Sequence, residues 1–460
     1  MVLRRWFESL GPGLLVALTL LLSGLGRPAQ ADEKTLILSE TYLPHECAET
    51  LAKEGNTVFV AQHDGGIDII DVSNQAAPVL LANLDPDGPL YDSVDIWDVQ
   101  VLNGVLYAFN RGSTQDPIKG NWTGVYMYDV SVPAWPVEIG AIVWGSQPYH
   151  HLGAYTISGE VGLINGVPHV FVCSQISGDV EVFDVSNPAN AVWRCSLYSP
   201  GGTIAAQTVY QNNRLYTAWG RAGFTVDDVS VVSSPVRLAN QPYIGSPVIN
   251  GGLQSISPTP DGLHVVTGEY TYAGDVRLWD ISVPSAVTLV DSWRLGTGAL
   301  LWTVHATNDY AYVAHLEDGI RILDIQSRTS LTPAGFCDPD SGAPAVTWAG
   351  ISDIVIDGST LFACHAARGL FIVEHDPYLP LPDVVTITSA SYRQSKRELT
   401  VYATSSEQPT ATLTVSGFGQ MTWNQRRSRY EYKIRVNNRP ATVTVTSSSG
   451  GSDTASVSVR

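Results

Sequence analysis

The stretch IDIIDVSNQAAPVLLANLD (67–85) reads as an apolar-rich strand, an abrupt Asp-Val-Ser-Asn turn and a second strand. Close copies recur: VYMYDVSVPAWPVEIG from 125, VEVFDVSNPANAVWRC from 180, VRLWDISVPSAVTLVD from 276 and IRILDIQSRTSLTPAG from 320. Setting them in register places Asp71, Asp129, Asp184, Asp228, Asp280 and Asp324 at one position, with Glu374 in a degenerate seventh copy. The gaps of 58, 55, 44, 52, 44 and 50 residues give a unit of about 50 residues. A carboxylate at a strand end can accept bonds from backbone N–H groups one or two residues on, so turn formation accounts for the repeated Asp without catalysis. Pro133, Pro188 and Pro284, just beyond, cannot donate to a ladder and mark the connection to the next strand.

Each unit carries four strand-like segments. In the sixth, LLWTVHAT (300–307) is followed by Asn308-Asp309, AYVAH (311–315), a turn at Glu317-Asp318-Gly319, IRILD (320–324) and a closing segment near TPAGF (332–336). A period of this length built only from strands points to propeller blades rather than helical solenoids. The seventh unit supplies AGISDIVI (349–356), TLFACH (360–365) and GLFIVE (369–374) and lacks an outer strand, while TLILSETYL (35–43) stands alone before the first full unit. Placing 35–40 as the missing strand closes the ring and leaves no open edge. The expected fold is all-β: a seven-bladed β-propeller over 32–376, closed by its N-terminal strand.

VFVAQHDGGIDIIDVSNQAAPVLL (58–81) and AYVAHLEDGIRILDI (311–325) resemble LVIVD repeats, found in exported bacterial and archaeal proteins. The resemblance covers roughly 35–376 and implies an extracellular propeller. It brings no reaction and no catalytic set. Unit four (FTVDDVSVV) and unit seven (FIVEHD) depart furthest from the pattern.

HDPYLPLPD (375–383) is Pro-rich and extended, and 377–383 reads as a linker. Beyond it VVTITSASY, RELTVYATS, ATLTVSGFG, YEYKIRV, ATVTVTSSS and DTASVSVR alternate apolar and polar residues, the pattern of a small antiparallel β-sandwich over 384–460. It resembles the Ig-like or fibronectin-like modules appended to secreted proteins, which space, dock or bind. Trp423, Tyr430 and Tyr432 suit either a carbohydrate-facing patch or cross-strand packing.

Arg4 and Arg5, the apolar run GLLVALTLLLSGL and Ala29-Gln30-Ala31 read as a signal peptide over 1–31. No later stretch is long and apolar enough to span a membrane as a helix. The expected location is therefore secreted, extracellular or periplasmic. In such a compartment the five cysteines, Cys47, Cys173, Cys195, Cys337 and Cys364, leave at least one unpaired or joined to another molecule. Their spacing does not define a pairing. Asn121-Trp122-Thr123 fits the glycosylation acceptor pattern.

Charge is uneven. Residues 32–382 hold 13 basic and 38 acidic side chains, whereas 383–460 hold 10 basic and 5 acidic. A surface as acidic as the first repels phosphate backbones, which argues against nucleic acid as a partner. The basic tail suits contact with anionic polymers or a simply solvated face.

Blade topology brings the loop entering each first strand and the loop after each second strand to one face. That face is expected to gather His45 and Cys47, His63 and Asp64, Asp92 and Asp95, His150 and His151, His315 and Glu317, and Cys364 with His365. Imidazoles and carboxylates at a funnel mouth can ligate zinc, copper or non-haem iron. The candidate metal ligands are His45, His63, His150, His151, His315 and His365, against solvated or loop-capping histidines as the alternative. His305 faces either the channel or a neighbouring blade. Glu317-Asp318-Gly319 and Asp64-Gly65-Gly66 are acidic turns that suit calcium or plain turn formation. No GxSxG, P-loop or GxGxxG stands in a strand–helix context. Two readings follow. The first is a non-catalytic exported or surface-associated protein that presents a loop face to an extracellular protein, polysaccharide or small molecule. The second is a metal-dependent oxidoreductase or hydrolase with its site in the funnel.

Overall fold

The computed structural model describes residues 35–41, 48–63, 65–85, 95–111, 123–143, 156–174, 178–245, 252–271, 274–294, 300–338, 350–375, 384–406, 408–448 and 451–460. These fall into two compact units, one over 35–375 and one over 384–460. The segments 1–31 and 377–383, read from sequence as signal and linker, lie outside the described residues.

The first unit contains, among the described residues, seven four-stranded antiparallel sheets. Six are formed by consecutive strands. Sheet 1 runs Leu51–Glu54, Thr57–Ala61, Ile67–Asp71 and Val79–Leu84, and sheets 2 to 6 repeat the order through Thr332–Cys337. Sheet 7 takes Ile351–Asp357, Thr360–His365 and Gly369–His375 from one end of the chain and Thr35–Thr41 from the other. Thr35 stands opposite His375 and Thr41 opposite Leu370.

Burial explains the hydrophobic runs. The second and third strands are covered on both faces, so Val58, Phe59, Val60, Ala61, Ile67, Ile69 and Ile70 are all fully buried. Outer strands are wet on one side, and Val79 and Leu80 remain exposed. The turn Asp performs the same task in six copies. Asp71, Asp129, Asp184, Asp228 and Asp280 accept the backbone N–H of Ser73, Ser131, Ser186, Ser230 and Ser282 at 2.8–3.0 Å, and Asp324 accepts that of Gln326 at 2.8 Å. A bulge in the outer strand follows every one of these turns.

A second irregularity repeats in the first strands. The register slips between Ile96 and Asp98, Thr156 and Ser158, Leu253 and Ser255, Leu301 and Thr303, and Ile351 and Asp353. Side chains at or beside this slip cross to the next sheet. Thr50 Oγ1 donates to Trp97 O, and Asp98 accepts from Gly159 N. Ser158 Oγ donates to Ala206 O, and Gln207 accepts from Ile256 N. Ser255 Oγ accepts from Val304 N, and Thr303 Oγ1 donates to Ser352 O. Asp353 accepts from Leu51 N while Ser352 Oγ donates to Ala48 O, which returns the chain of bonds to sheet 1.

The second unit has a five-stranded sheet and a four-stranded sheet. In the first, Val385–Arg393, Glu398–Ser405 and Arg429–Arg435 are adjacent antiparallel strands, with Thr422–Asn424 at one edge and Ser458–Val459 at the other. Both sheets contribute to one core built on Leu399, Val401, Leu413, Val415 and Val445.

Candidate functional site: the channel of the first unit

The first strands of all seven sheets line a channel of about 420 Å³. Its wall carries four carboxylates, Glu49, Asp98, Glu160 and Asp353, together with Gln207, Thr208, Ser158, Thr303 and His305. His305 thus faces the channel, where Nε2 lies 2.8 Å from Asp353 Oδ1.

Their position alters their chemistry. Burial pushes the Asp98 carboxyl well above its usual range. The N–H of Gly159 pulls it down, and the charges of Asp353 and Glu160 push it further up. Burial also raises Glu160 to about 7, against a bond from Val161 N at 2.9 Å that favours the charged form. Glu160 therefore gains or loses a proton near neutrality, inside a wall that also carries Lys53 and apolar side chains such as Leu51 and Val209.

At one mouth, His63 sits between two carboxylates. Nδ1 is 2.7 Å from Asp95 and Nε2 is 2.7 Å from Glu49. Burial works against the imidazolium, but the hydrogen bonds and charges of Asp95 and Glu49 outweigh it and hold the ring at about 9. His63 has φ 49° and its backbone bridges to Ile96, so the ring is fixed across sheets 1 and 2. Trp97 meets it edge-on at 4.8 Å, and Arg111 lies 4.2 Å over the Trp97 ring.

The other histidines proposed from sequence do not join this group. His315 and His365 occupy one register in neighbouring sheets, opposite Gly319 and Gly369. Both are buried. Nδ1 of His365 accepts from Ala367 N at 3.2 Å, while both ring nitrogens of His315 lack hydrogen-bond partners. Burial lowers His315 to about 4, so its ring is neutral at physiological pH. His45, His150 and His151 lie outside the described residues, as do Cys47, Asp64 and Asp92. Among the described residues no three His, Cys, Asp or Glu side chains converge as a metal site.

At the acidic turn of sheet 6, Glu317 accepts from Leu300 N at 3.2 Å, and Asp318 lies buried 3.8 Å from Arg321. Cys173, Cys195, Cys337 and Cys364 are buried free thiols. In the second unit Tyr430 is buried in the core, and the half-buried Trp423, 4.9 Å from it, and Tyr432 pack against that core, so the three serve packing rather than a fully open patch.

The wall residues Asp98, Glu160, Gln207 and Asp353, and the buried Ser255 that donates to Gln207, do not belong to the histidine pattern. Their signal is a polar residue at a fixed place in otherwise apolar first strands.

Two stretches, 48–85 and 302–338, match the LVIVD repeat. No curated protein is significantly similar to the chain. Solved structures similar to it include the crystal structure of RRP9 WD40 repeats (TM-score 0.53, 14% identity, 75% of this chain and 98% of that one). The structure of U3-55K is similar too (TM-score 0.52, 14% identity, 74% and 98%). At such identity the likeness speaks for the fold alone. The chain therefore carries LVIVD repeats within an all-β fold of repeated four-stranded antiparallel sheets, of the WD40-like β-propeller kind.

Proposed function

We propose that this is an exported seven-bladed β-propeller protein with a C-terminal β-sandwich, which works by binding rather than by catalysis. Its ligand sits in or over the acidic channel and is a cationic or donor-rich small molecule. The observation that carries this reading is the ring of inter-sheet bonds around four carboxylates. A wall held by bonds from every sheet does not rearrange, so its acceptors are preorganised and little ordering entropy is lost on binding. The leader-like segment 1–31 supports export.

Spermidine is a suitable probe, titrated calorimetrically at low ionic strength. The expected result is binding that strengthens from pH 6 to pH 8 as Glu160 ionises, and a Glu160→Gln variant in which that pH dependence is gone. Absence of binding at pH 8 overturns the channel as the site. The competing reading is a metal centre on His45, His63, His150, His151, His315 and His365. It predicts near-stoichiometric zinc, copper or iron in protein purified without a His tag, lost in His315→Ala plus His365→Ala.

A further inference from the structure

We propose that one end of the second unit is a docking surface for an acidic polysaccharide. The strand Val385–Arg393 ends there, and Gln394–Lys396 makes a single 3₁₀ turn. Arg397, in the left-handed region at φ 52°, then hands the chain to Glu398–Ser405. Arg397 N–H closes that turn on Gln394 O at 3.2 Å. A third strand brings Arg435 to the same end, so Arg393, Glu398 and Arg435 stand abreast on three neighbouring strands. Arg439 is anchored beside them by its bond to Val457 O.

The result is five cations, Arg393, Lys396, Arg397, Arg435 and Arg439, all exposed, with Glu398 as the one acidic side chain among them; Arg460, exposed and bonded through its N–H to Tyr392 O, adds a sixth at the same end. None of the five forms an ion pair among the described residues. Elsewhere in the unit the pattern differs, since Arg427 and Arg429 are both paired with Glu431. Strands stand about 4.8 Å apart, so Arg393 and Arg435 lie about 10 Å apart and match repeating charges on an extended chain better than a single small anion. Four of the five are Arg, whose fork takes carboxylate or sulfate two bonds at a time. Val459 is the one exposed large apolar side chain at this end among the described residues, and no exposed Trp, Phe or Leu accompanies it, so the patch has little to insert into lipid and no ring to stack on bases. This surface is independent of the channel and turns the second unit from a spacer into an anchor.

The test uses the whole chain with three soluble probes: polygalacturonate (carboxylate), heparin (sulfate and carboxylate) and neutral dextran. Binding to at least one acidic polymer, none to dextran, and an affinity falling linearly on a log–log plot against salt are expected. Arg393→Gln, Arg397→Gln and Arg435→Gln together should weaken it by about tenfold or more, whereas Arg426→Gln plus Arg427→Gln at the opposite end should leave it unchanged. The corresponding triple Lys variant, which keeps the charge, guards against a folding artefact by retaining salt-dependent binding. The proposal is overturned by failure to bind either acidic polymer at low salt, by equal loss in both Gln variants, or by binding to phosphatidylglycerol vesicles but to neither polymer.

Discussion

His63 and His315 show how a few ångströms of surroundings set opposite behaviour for one side-chain type. His63 is held at about 9, above the 6.5 of an unfolded chain, so its contribution to stability is complete below pH 6.5 and is lost as pH rises through 9. His315, lowered to about 4 by burial, resists protonation, and its contribution falls as pH drops from 6.5 through 4. Each slope is at most about 1.4 kcal/mol per pH unit. The measurement is the difference in urea stability between wild type and variant across pH. For His63→Gln the difference should be largest below pH 6.5 and shrink towards pH 9. His315→Leu should gain on wild type as pH falls below 6.5, because Leu has no ring for the unfolded chain to protonate, and loss of two unpartnered buried nitrogens adds a gain that does not vary with pH. A flat difference for either variant contradicts its assignment. The repeated turn Asp needs no such context: its bond is local, to a backbone N–H two residues ahead.

At the scale of the element, the first strand of each sheet decides how sheets meet. Gly159 shows why small residues occur there. A Cβ at this position would stand 1.8 Å from Cε1 of Phe109, a fully buried ring of sheet 2. Its N–H is also the one that Asp98 accepts. Gly159→Ala should cost roughly 1–3 kcal/mol by overpacking, seen as a lower denaturant midpoint. Adding Phe109→Leu should recover part of that loss, because the ring that clashes is gone. If the two substitutions simply add, Gly159 is not limited by Phe109. Sequence periodicity finds this strand as a strand, yet it does not reveal the clash, since the partner lies 50 residues away.

For the first unit as a whole, Thr35–Thr41 is the segment on which closure depends. Besides pairing with Gly369–His375, it reaches both neighbouring sheets: Thr35 Oγ1 donates to Phe336 O and Ser39 Oγ to Gln75 O, each at 2.6 Å. Glu40 also receives Arg368 through two bonds, at 2.8 and 2.6 Å. Deleting 35–41 exposes a strand edge between two sheets. The truncated chain is expected to elute from size exclusion as soluble aggregate, with a peptide spanning 33–43 restoring monomer in trans. A truncated chain that stays monomeric with an unchanged thermal midpoint contradicts this role.

The repeat, its four strands, the turn Asp and the charge contrast between the two units were all legible in the order of residues, because each rests on contacts within a few positions or on simple composition. The site was less so. The register that puts His315 and His365 at one position could be read off, whereas the seclusion of both rings could not. Nor could the pairing of His63 with Glu49 and Asp95, or the gathering of Asp98, Glu160 and Asp353 round one channel. Those features join residues from 14 positions apart, His63 and Glu49, to 255 apart, Asp98 and Asp353, and burial and the field of distant carboxylates exist only once the sheets have closed on one another. A linear pattern carries the local hydrogen bond; dielectric and neighbour charge belong to the folded ring.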